Sequence, residues 1–332
     1  MQQLDADELQ ASVICRVTAV HRSGLHVLGV GVDALIPHFS GDEGDETGLA
    51  TVGDWLLLDA DSLRPKRLLH RTSLIKRRAP GTGRGLQLIA ANIDTLFIVT
   101  SCNQDFNIAR LERYLTLARE AEILPVIVVT KSDLTDDPEA YRQQAGGLLP
   151  GLEVVVLDAR LPGEAARLAP WCGRGQTVAF VGSSGVGKST LINTLTGTGR
   201  IATQGIREDD DKGRHTTSVR ELHRLKSGAW LLDTPGMREL QLTDVQHGLD
   251  DVFADIARLA LSCRFHDCRH ENEPGCAVRA AVDKGVLDDG RLKRWKKLLA
   301  EDTFNTLSLV ERRTKDRAFG KMIKTAKKDL RG

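Results

Sequence analysis

Short apolar runs, each closed by a glycine or a polar turn, alternate with stretches of helical period between residues 85 and 242. Runs at 95–100, 126–130, 153–157, 177–181, 219–225 and 230–233 predict strands, while 109–121 carries apolar residues at helical spacing. That alternation predicts a three-layer α/β domain on a mainly parallel sheet. Upstream the rhythm is different. Residues 12–17, 25–30, 34–36 and 54–58 read as short strands, with glycines at 24, 31, 41, 44, 48 and 53 between them. Short strands at this spacing in about 75 residues suit a five-stranded barrel of the oligonucleotide-binding (OB) type, placed at 1–80. Downstream, in 243–332, residues 291–300 and 303–328 read as basic helices.

Three of the predicted strands end in chemistry. Residues 177–181 run into Gly182-Ser183-Ser184-Gly185-Val186-Gly187-Lys188-Ser189, and Thr190 onwards reads as a helix. This is the strand–loop–helix setting that a phosphate-binding loop needs. Its N–H groups and the helix N-terminus face phosphate oxygens, Lys188 reaches the outer phosphates, and the Ser189 hydroxyl is placed to hold Mg²⁺. Residues 229–233 lead into Asp233-Thr234-Pro235-Gly236. There Asp233 can hold Mg²⁺ through water, and Gly236 can offer its N–H to a γ-phosphate. Residues 125–129 lead into Thr130-Lys131-Ser132-Asp133. A carboxylate at 133 can accept from N1–H and the 2-amino group of guanine, a donor pair that adenine lacks, and so selects GTP over ATP.

The order of these motifs is unusual. The base reader precedes the phosphate loop, which precedes the Mg²⁺ motif, so the chain reads as a circularly permuted GTPase domain over 85–242. Cutting and rejoining surface connections leaves such a core undisturbed. Between the last two motifs, residues 204–217 are polar and charged, and either Thr216 or Thr217 is the expected Mg²⁺ and γ-phosphate ligand. His215 can orient water or stand free in solvent. Met237 follows the Mg²⁺ motif where many GTPases carry a water-positioning Gln, so unassisted hydrolysis is expected to be slow. Further on, Cys263, Cys268 and Cys276 stand with His266 and His270. Three thiolates and one imidazole form a closed, structural Zn²⁺ site, whose order the metal supplies.

Charge sharpens the picture. The 332 residues carry a net charge of +1, yet residues 1–61 hold eleven acids against two arginines. Residues 64–84 hold eight basic residues and no acid, and residues 291–332 hold fourteen basic residues against five acids. Two basic stretches flanking a nucleotide site point to RNA, with Arg64 to Arg84 as the expected grip. The acidic barrel is expected to touch RNA through one limited face, or to make its contact through protein instead. The acidic, polar N-terminus is unlike a signal peptide. No apolar run approaches the ~18 residues that span a bilayer, so no membrane partner is expected.

The chain resembles the circularly permuted, ribosome small-subunit-dependent GTPases (RsgA, also called YjeQ or YloQ). The likeness rests on 87–94, Asp105-Phe106-Asn107, Arg110-Leu111-Glu112-Arg113-Tyr114-Leu115, Gly213-Arg214-His215-Thr216-Thr217, the permuted motif order and the Cys/His cluster. It covers nearly the whole chain and implies three domains: an OB-type barrel, a permuted P-loop GTPase and a zinc-binding helical module. It selects His270 over His266 as the fourth zinc ligand. It also implies a cytoplasmic protein, expected as a monomer, that acts late in assembly of the small (30S) ribosomal subunit. There it meets 16S rRNA and ribosomal proteins, with hydrolysis stimulated by the subunit. A GTP-gated RNA-binding scaffold with incidental turnover is the alternative. Two departures stand out: Thr130 replaces an Asn, weakening a scaffolding hydrogen bond, and Asp158-Ala159 replaces a base-contacting Ser-Ala.

Overall fold

The computed structural model describes residues 8, 10–41, 47–78, 86–196, 220–233 and 242–306. The chain divides into two compact units, residues 1–240 and 241–332. In the first unit, β8 (Thr95–Ser101), β9 (Leu124–Thr130), β10 (Glu153–Val156), β11 (Thr177–Val181) and β13 (Trp230–Asp233) form a parallel sheet in the order β10-β9-β8-β11-β13. β12 (Arg220–Arg224) closes its edge by antiparallel pairing with β13. All seven residues of β8 and all five of β11 are buried. This follows from parallel strands covered on both faces, which need continuous apolar runs rather than alternation. The core below them stacks Phe97 on Phe180, ring centroids 4.8 Å apart, with Val126, Val128, Leu191 and Leu231 around the pair.

The upstream module is built from β1 (Ser12–His21), β2 (Gly24–Gly29), β3 (Val32–Ile36), β4 (Trp55–Asp59) and β5 (Pro65–Leu68), paired antiparallel as β3-β2-β1-β4-β5. Alternate residues Cys15 and Val17, Leu25 and Val27, and Leu56 and Leu58 fill its core. β6 (Leu74–Arg78) and β7 (Leu86–Ala91) follow as a separate two-stranded sheet. Thus residues 87–94 build a hairpin strand and its exit. There Asn92 accepts from the Thr72 N–H at 3.0 Å and donates to the Gly53 carbonyl at 3.0 Å.

β1 joins the two sheets. Its far end pairs with β12 through Ala19↔Glu221 and Val20↔Arg220. Its inner residues are buried on both faces: Cys15 and Val17 toward the core of the β1–β5 module, Arg16 toward the parallel sheet. Arg16 is 2% exposed, donates to Thr177 Oγ1 at 2.6 Å and to the Asn92 carbonyl at 3.3 Å, and lies over Trp55 and Trp230. Burial lowers its pKa to about 10, against the pull of Asp94 and Asp54.

The basic stretch is partly consumed inside the module. Lys66 pairs with Asp59 at 2.8 Å, Arg67 with Glu8 at 2.9 Å, and Arg71 with the fully buried Asp54 at 2.7 Å. Of these three cations Arg71 is mostly buried, while Lys66 and Arg67 keep 39% and 43% of their side chains exposed beside their acids.

The second unit packs helices Gln246–Val252, Ala254–Ala260, Ala277–Asp283 and Asp289–Thr306 around Leu249, Val252, Phe253, Ile256, Val278, Leu292 and Leu298. Its last described helix runs unbroken through 300–303, where the sequence reading had placed a gap between two helices. No Gly or Pro stands there to stop it, and the Thr303 hydroxyl caps back onto the Leu299 carbonyl at 2.8 Å. Among the described residues, no helix is long and apolar enough to cross a membrane.

Candidate nucleotide and metal sites

The phosphate loop turns where only glycine fits. Gly182 has φ +143°, and a Cβ there would lie 2.2 Å from the Val99 carbonyl oxygen, so the loop leaves β11 pressed against β8. Gly187, at φ +94°, faces the Thr130 side chain. Helix Lys188–Thr196 begins at once, with Leu191 and Ile192 buried beneath it. Lys188 is 9% exposed, and its Nζ donates to the Gly182 carbonyl at 3.0 Å and to the Ser183 carbonyl. The amine therefore lies along the inner side of the loop. Ser189 is half-buried in the first helical turn, whereas Ser184, Gly185 and Thr190 are exposed.

The base-reading segment is tied directly to this loop. Thr130 ends β9 fully buried, and its hydroxyl reaches both the Thr100 carbonyl at 3.0 Å and the Val186 carbonyl in the phosphate loop. A hydroxyl has one hydrogen, so it donates to one of these at a time. Thr130 thus makes a link that the sequence reading had marked as weakened. Lys131 then adopts the left-handed conformation, φ 57° and ψ 41°, and turns the chain into the short 3₁₀ helix Ser132–Leu134. This brings Asp133 to the surface beside residues 158–160. Ser132 N donates to the Leu157 carbonyl at 3.4 Å.

Asp158 and Ala159 occupy the turn after β10. The Asp158 N–H donates to Glu164 Oε2 at 2.6 Å, and the Ala159 carbonyl accepts from the Thr194 hydroxyl at 2.9 Å. Arg160 grips the Asp158 carboxylate through Nε and Nη2, at 2.9 and 2.6 Å, and Nη2 also lies 2.9 Å from Asp133 Oδ2. The Arg160 hydrogen bonds hold the Asp158 carboxyl below its ordinary range, and the two carboxylates raise the guanidinium pKa.

Two arginines here escaped the sequence reading. Arg160 is one. The other is Arg110, whose guanidinium donates to the Ser183 hydroxyl in the phosphate loop. It sits in the first turn of helix Ile108–Glu120, whose N-cap Asn107 accepts from the Arg110 N–H at 3.0 Å. The Asp105-Phe106-Asn107 stretch thus sets the helix start, and Phe106 packs edge-on against Tyr141. The cap pattern could have revealed the helix start; nothing in the sequence reveals the long-range contacts.

Asp233 closes β13, one strand from the phosphate loop, with Ala179 of β11 in register with Leu232. Gly236 and Met237, and with them His215, Thr216 and Thr217, lie outside the described residues.

In the second unit Cys263, Cys268, His270 and Cys276 bring one ligand atom each to within 4.8 Å of one another, and they could hold a metal ion. Cys263 Sγ lies 3.6 Å from His270 Nδ1 and 3.9 Å from Cys276 Sγ, and the last two are 3.4 Å apart. Tetrahedral zinc with such ligands has edges of about 3.3–3.8 Å, so the donor set fits. His266 is not among the four. His270 is placed by a left-handed backbone, φ 57°, and its carbonyl accepts from Lys296 Nζ at 2.7 Å. Burial, then the Lys296 charge, lowers its pKa, which favours the neutral imidazole that ligates metals. Cys276 caps helix Ala277–Asp283, and its sulfur accepts from the Arg279 N–H at 3.4 Å.

The comparisons with known proteins agree with this geometry. The sequence profile of the RsgA GTPase matches residues 68–243. The small ribosomal subunit biogenesis GTPase RsgA of Mesorhizobium japonicum is 53% identical over 310 residues, spanning 90% of this chain and 88% of that protein. Small ribosomal subunit biogenesis GTPase RsgA 2 of Vibrio vulnificus is 48% identical over 99% of this chain and 92% of its own length. The crystal structure of YjeQ from Thermotoga maritima superposes with a TM-score of 0.61 at 23% identity, covering 87% of this chain and 98% of that one. The structure of YloQ, a circularly permuted GTPase, gives 0.60 at 24% identity over 90% and 97%. These two likenesses concern the fold, including its permuted strand order. On its profile match and on relatives aligned over almost their full length, the chain belongs to the RsgA GTPase family.

Proposed function

We propose that this chain is a GTP hydrolase that binds the small ribosomal subunit late in its maturation and leaves after hydrolysis. One observation carries the reading. The strands that deliver the base reader, the phosphate loop and Asp233 are β9, β11 and β13, which end in one row of a parallel sheet with only β8 among them. Ligands of open α/β sheets bind at that carboxyl edge. The relatives named for small-subunit biogenesis supply the target.

In this reading Asp133 accepts from the guanine edge while Lys131 and Ser132 line the base. Residues 182–190 wrap the phosphates. Ser189 and Asp233 would hold Mg²⁺, which neutralises charge on the phosphates when bound. Lys188 moves from the loop carbonyls to the outer phosphates. There it and the loop N–H groups stabilise the charge that develops as water attacks the γ-phosphorus. Gly236, with Thr216 or Thr217, completes the γ-phosphate shell, and His215 orients water. Met237 cannot do so, which leaves turnover slow until the subunit orders the site.

The module of β1–β5 serves as the OB-type ribosome-binding domain, and the four-ligand cluster holds one structural zinc in the third domain. The protein works as a cytoplasmic monomer. Hydrolysis of GTP and ATP, measured in parallel with and without purified 30S particles, tests the whole. Strong stimulation confined to GTP is expected. GTP-dependent binding with no stimulation points instead to a nucleotide-gated scaffold, and turnover of ATP alone overturns the assignment.

A further inference from the structure

The Asp133 carboxylate is claimed twice. As base reader it would accept from the paired N–H donors of guanine; in the fold it already receives Arg160 Nη2 at 2.9 Å. A guanidinium offers the same kind of edge as guanine, with N–H donors aligned in a plane. Arg160 is not committed to Asp133 alone. Its Nε and Nη2 also hold Asp158, whose side chain is 10% exposed and whose backbone N–H is anchored on Glu164 Oε2 at 2.6 Å. The Arg160 side chain is 65% exposed and that of Asp133 37%. The Arg160–Asp133 contact is thus the looser of the two, and Asp158 is a fixed post for the arginine.

We propose that Arg160 sets the affinity of the guanine pocket: it competes with guanine for the Asp133 carboxylate, and Asp158 retains the arginine when guanine wins. This rests on the GTPase reading above and adds a competitor to it. A base can displace Arg160 without loss only if it returns two N–H donors to Asp133. Guanine does. Adenine presents a ring nitrogen lone pair there and would leave the carboxylate poorer than it found it.

Titration of N-methylanthraniloyl-GDP against wild type, Arg160→Ala, Asp158→Ala and the double variant tests the proposal. Circular dichroism and melting curves check that all four fold alike. Removing the competitor is expected to tighten binding about twofold to fivefold, the span of an exposed ion pair, and the gain should shrink in high salt. Asp158→Ala releases the arginine to Asp133 and should weaken binding by a similar factor. The double variant should match Arg160→Ala. Weaker binding by Arg160→Ala makes the arginine a base contact and overturns the proposal, as does unchanged affinity. A loss from Asp158→Ala that persists in the double variant overturns it too, because Asp158 then acts through the fold. A wild type that binds GTP and GDP while failing these tests sinks the competition alone. A wild type that binds no guanine nucleotide sinks the GTPase reading with it.

Discussion

The Arg16 guanidinium donates to the Thr177 hydroxyl across 2.6 Å, joining positions 161 residues apart in the chain. Thr177 opens β11, the strand that ends in the phosphate loop, and Arg16 lies in the first strand of the barrel. The cation is sandwiched by Trp55 and Trp230 at 5.2 and 5.6 Å and also donates to the Asn92 carbonyl. Replacing it by alanine removes two hydrogen bonds, two ring contacts and the packing of the stem. Arg16→Ala should therefore destabilise the first unit by about 2–4 kcal/mol, read from the urea midpoint. An unmoved midpoint would show that the bridge carries no weight.

Arg71 and Asp54 form a deeply placed ion pair, with side chains 12% and 0% exposed. Arg71→Ala strands a buried carboxylate and should cost about 3–5 kcal/mol at neutral pH. Burial raises the Asp54 pKa, while hydrogen bonds from Arg71 oppose the rise. A carboxyl whose folded pKa lies above its unfolded value favours the native state at low pH, and that share is lost as pH rises through the folded pKa. Without Arg71 the folded pKa climbs further. The deficit of the variant should then narrow on acidification, and thermal melts across pH 5 to 8 would reveal a constant deficit if this is wrong.

Thr130→Val keeps the shape of the side chain and deletes the hydroxyl that reaches the Val186 carbonyl. Loss of one such link between base reader and phosphate loop should weaken GDP binding by about threefold to tenfold, close to one hydrogen bond, with little change in melting temperature. Calorimetric titration gives the number; wild-type affinity would mean the loop holds its form unaided.

Asp133→Asn should lower affinity for GTP by at least ~100-fold, since an amide turns a donor toward the guanine N–H groups. Xanthine carries a carbonyl where guanine has its 2-amino group, so xanthosine triphosphate should bind the variant better than GTP does. Competition against a fluorescent guanine nucleotide distinguishes the outcomes, and unchanged preference for GTP would remove Asp133 from the pocket.

Cys276→Ser removes one of the four converging thiolate or imidazole ligands while leaving a hydroxyl that can still cap helix Ala277–Asp283. If the cluster holds the proposed zinc, metal content of the variant should fall well below that of wild type, and the second unit should lose protection from proteolysis. A chelator should do the same to wild type. Full metal content in the variant would contradict the ligand set.

The parallel sheet was legible because each of its strands is a continuous apolar run, and burial on both faces demands that pattern. The loop after residue 181 was legible for a related reason: its backbone leaves few residue choices at Gly182 and Gly187, both at positive φ against neighbouring strands. β5 and β6 were not named, because Pro65–Leu68 and Leu74–Arg78 are interrupted by cations that looked like an external surface. In the first of these Lys66 pairs with Asp59 and Arg67 with Glu8, 59 residues away, and in the second Arg77 donates to Gln87 of the neighbouring strand; no local pattern discloses such partners. Arg110 and Arg160 were missed likewise. Each is an ordinary polar position in its own segment and becomes informative only when the fold sets it beside Ser183 or Asp133.

The pairing of β1 with β12 gives the barrel an unusual vantage. β12 starts three residues after the segment 204–217 ends, and it lies beside β13, which stops at Asp233. Both rims of the expected triphosphate pocket therefore feed a strand that is laced, without any intervening tether, to the barrel's own first strand. Sliding of β12 by a fraction of a residue is a shear on the ladder through Ala19 and Val20. On the proposed reading, the ribosome-facing module and the nucleotide pocket share one continuous ribbon, and neither can be re-registered alone.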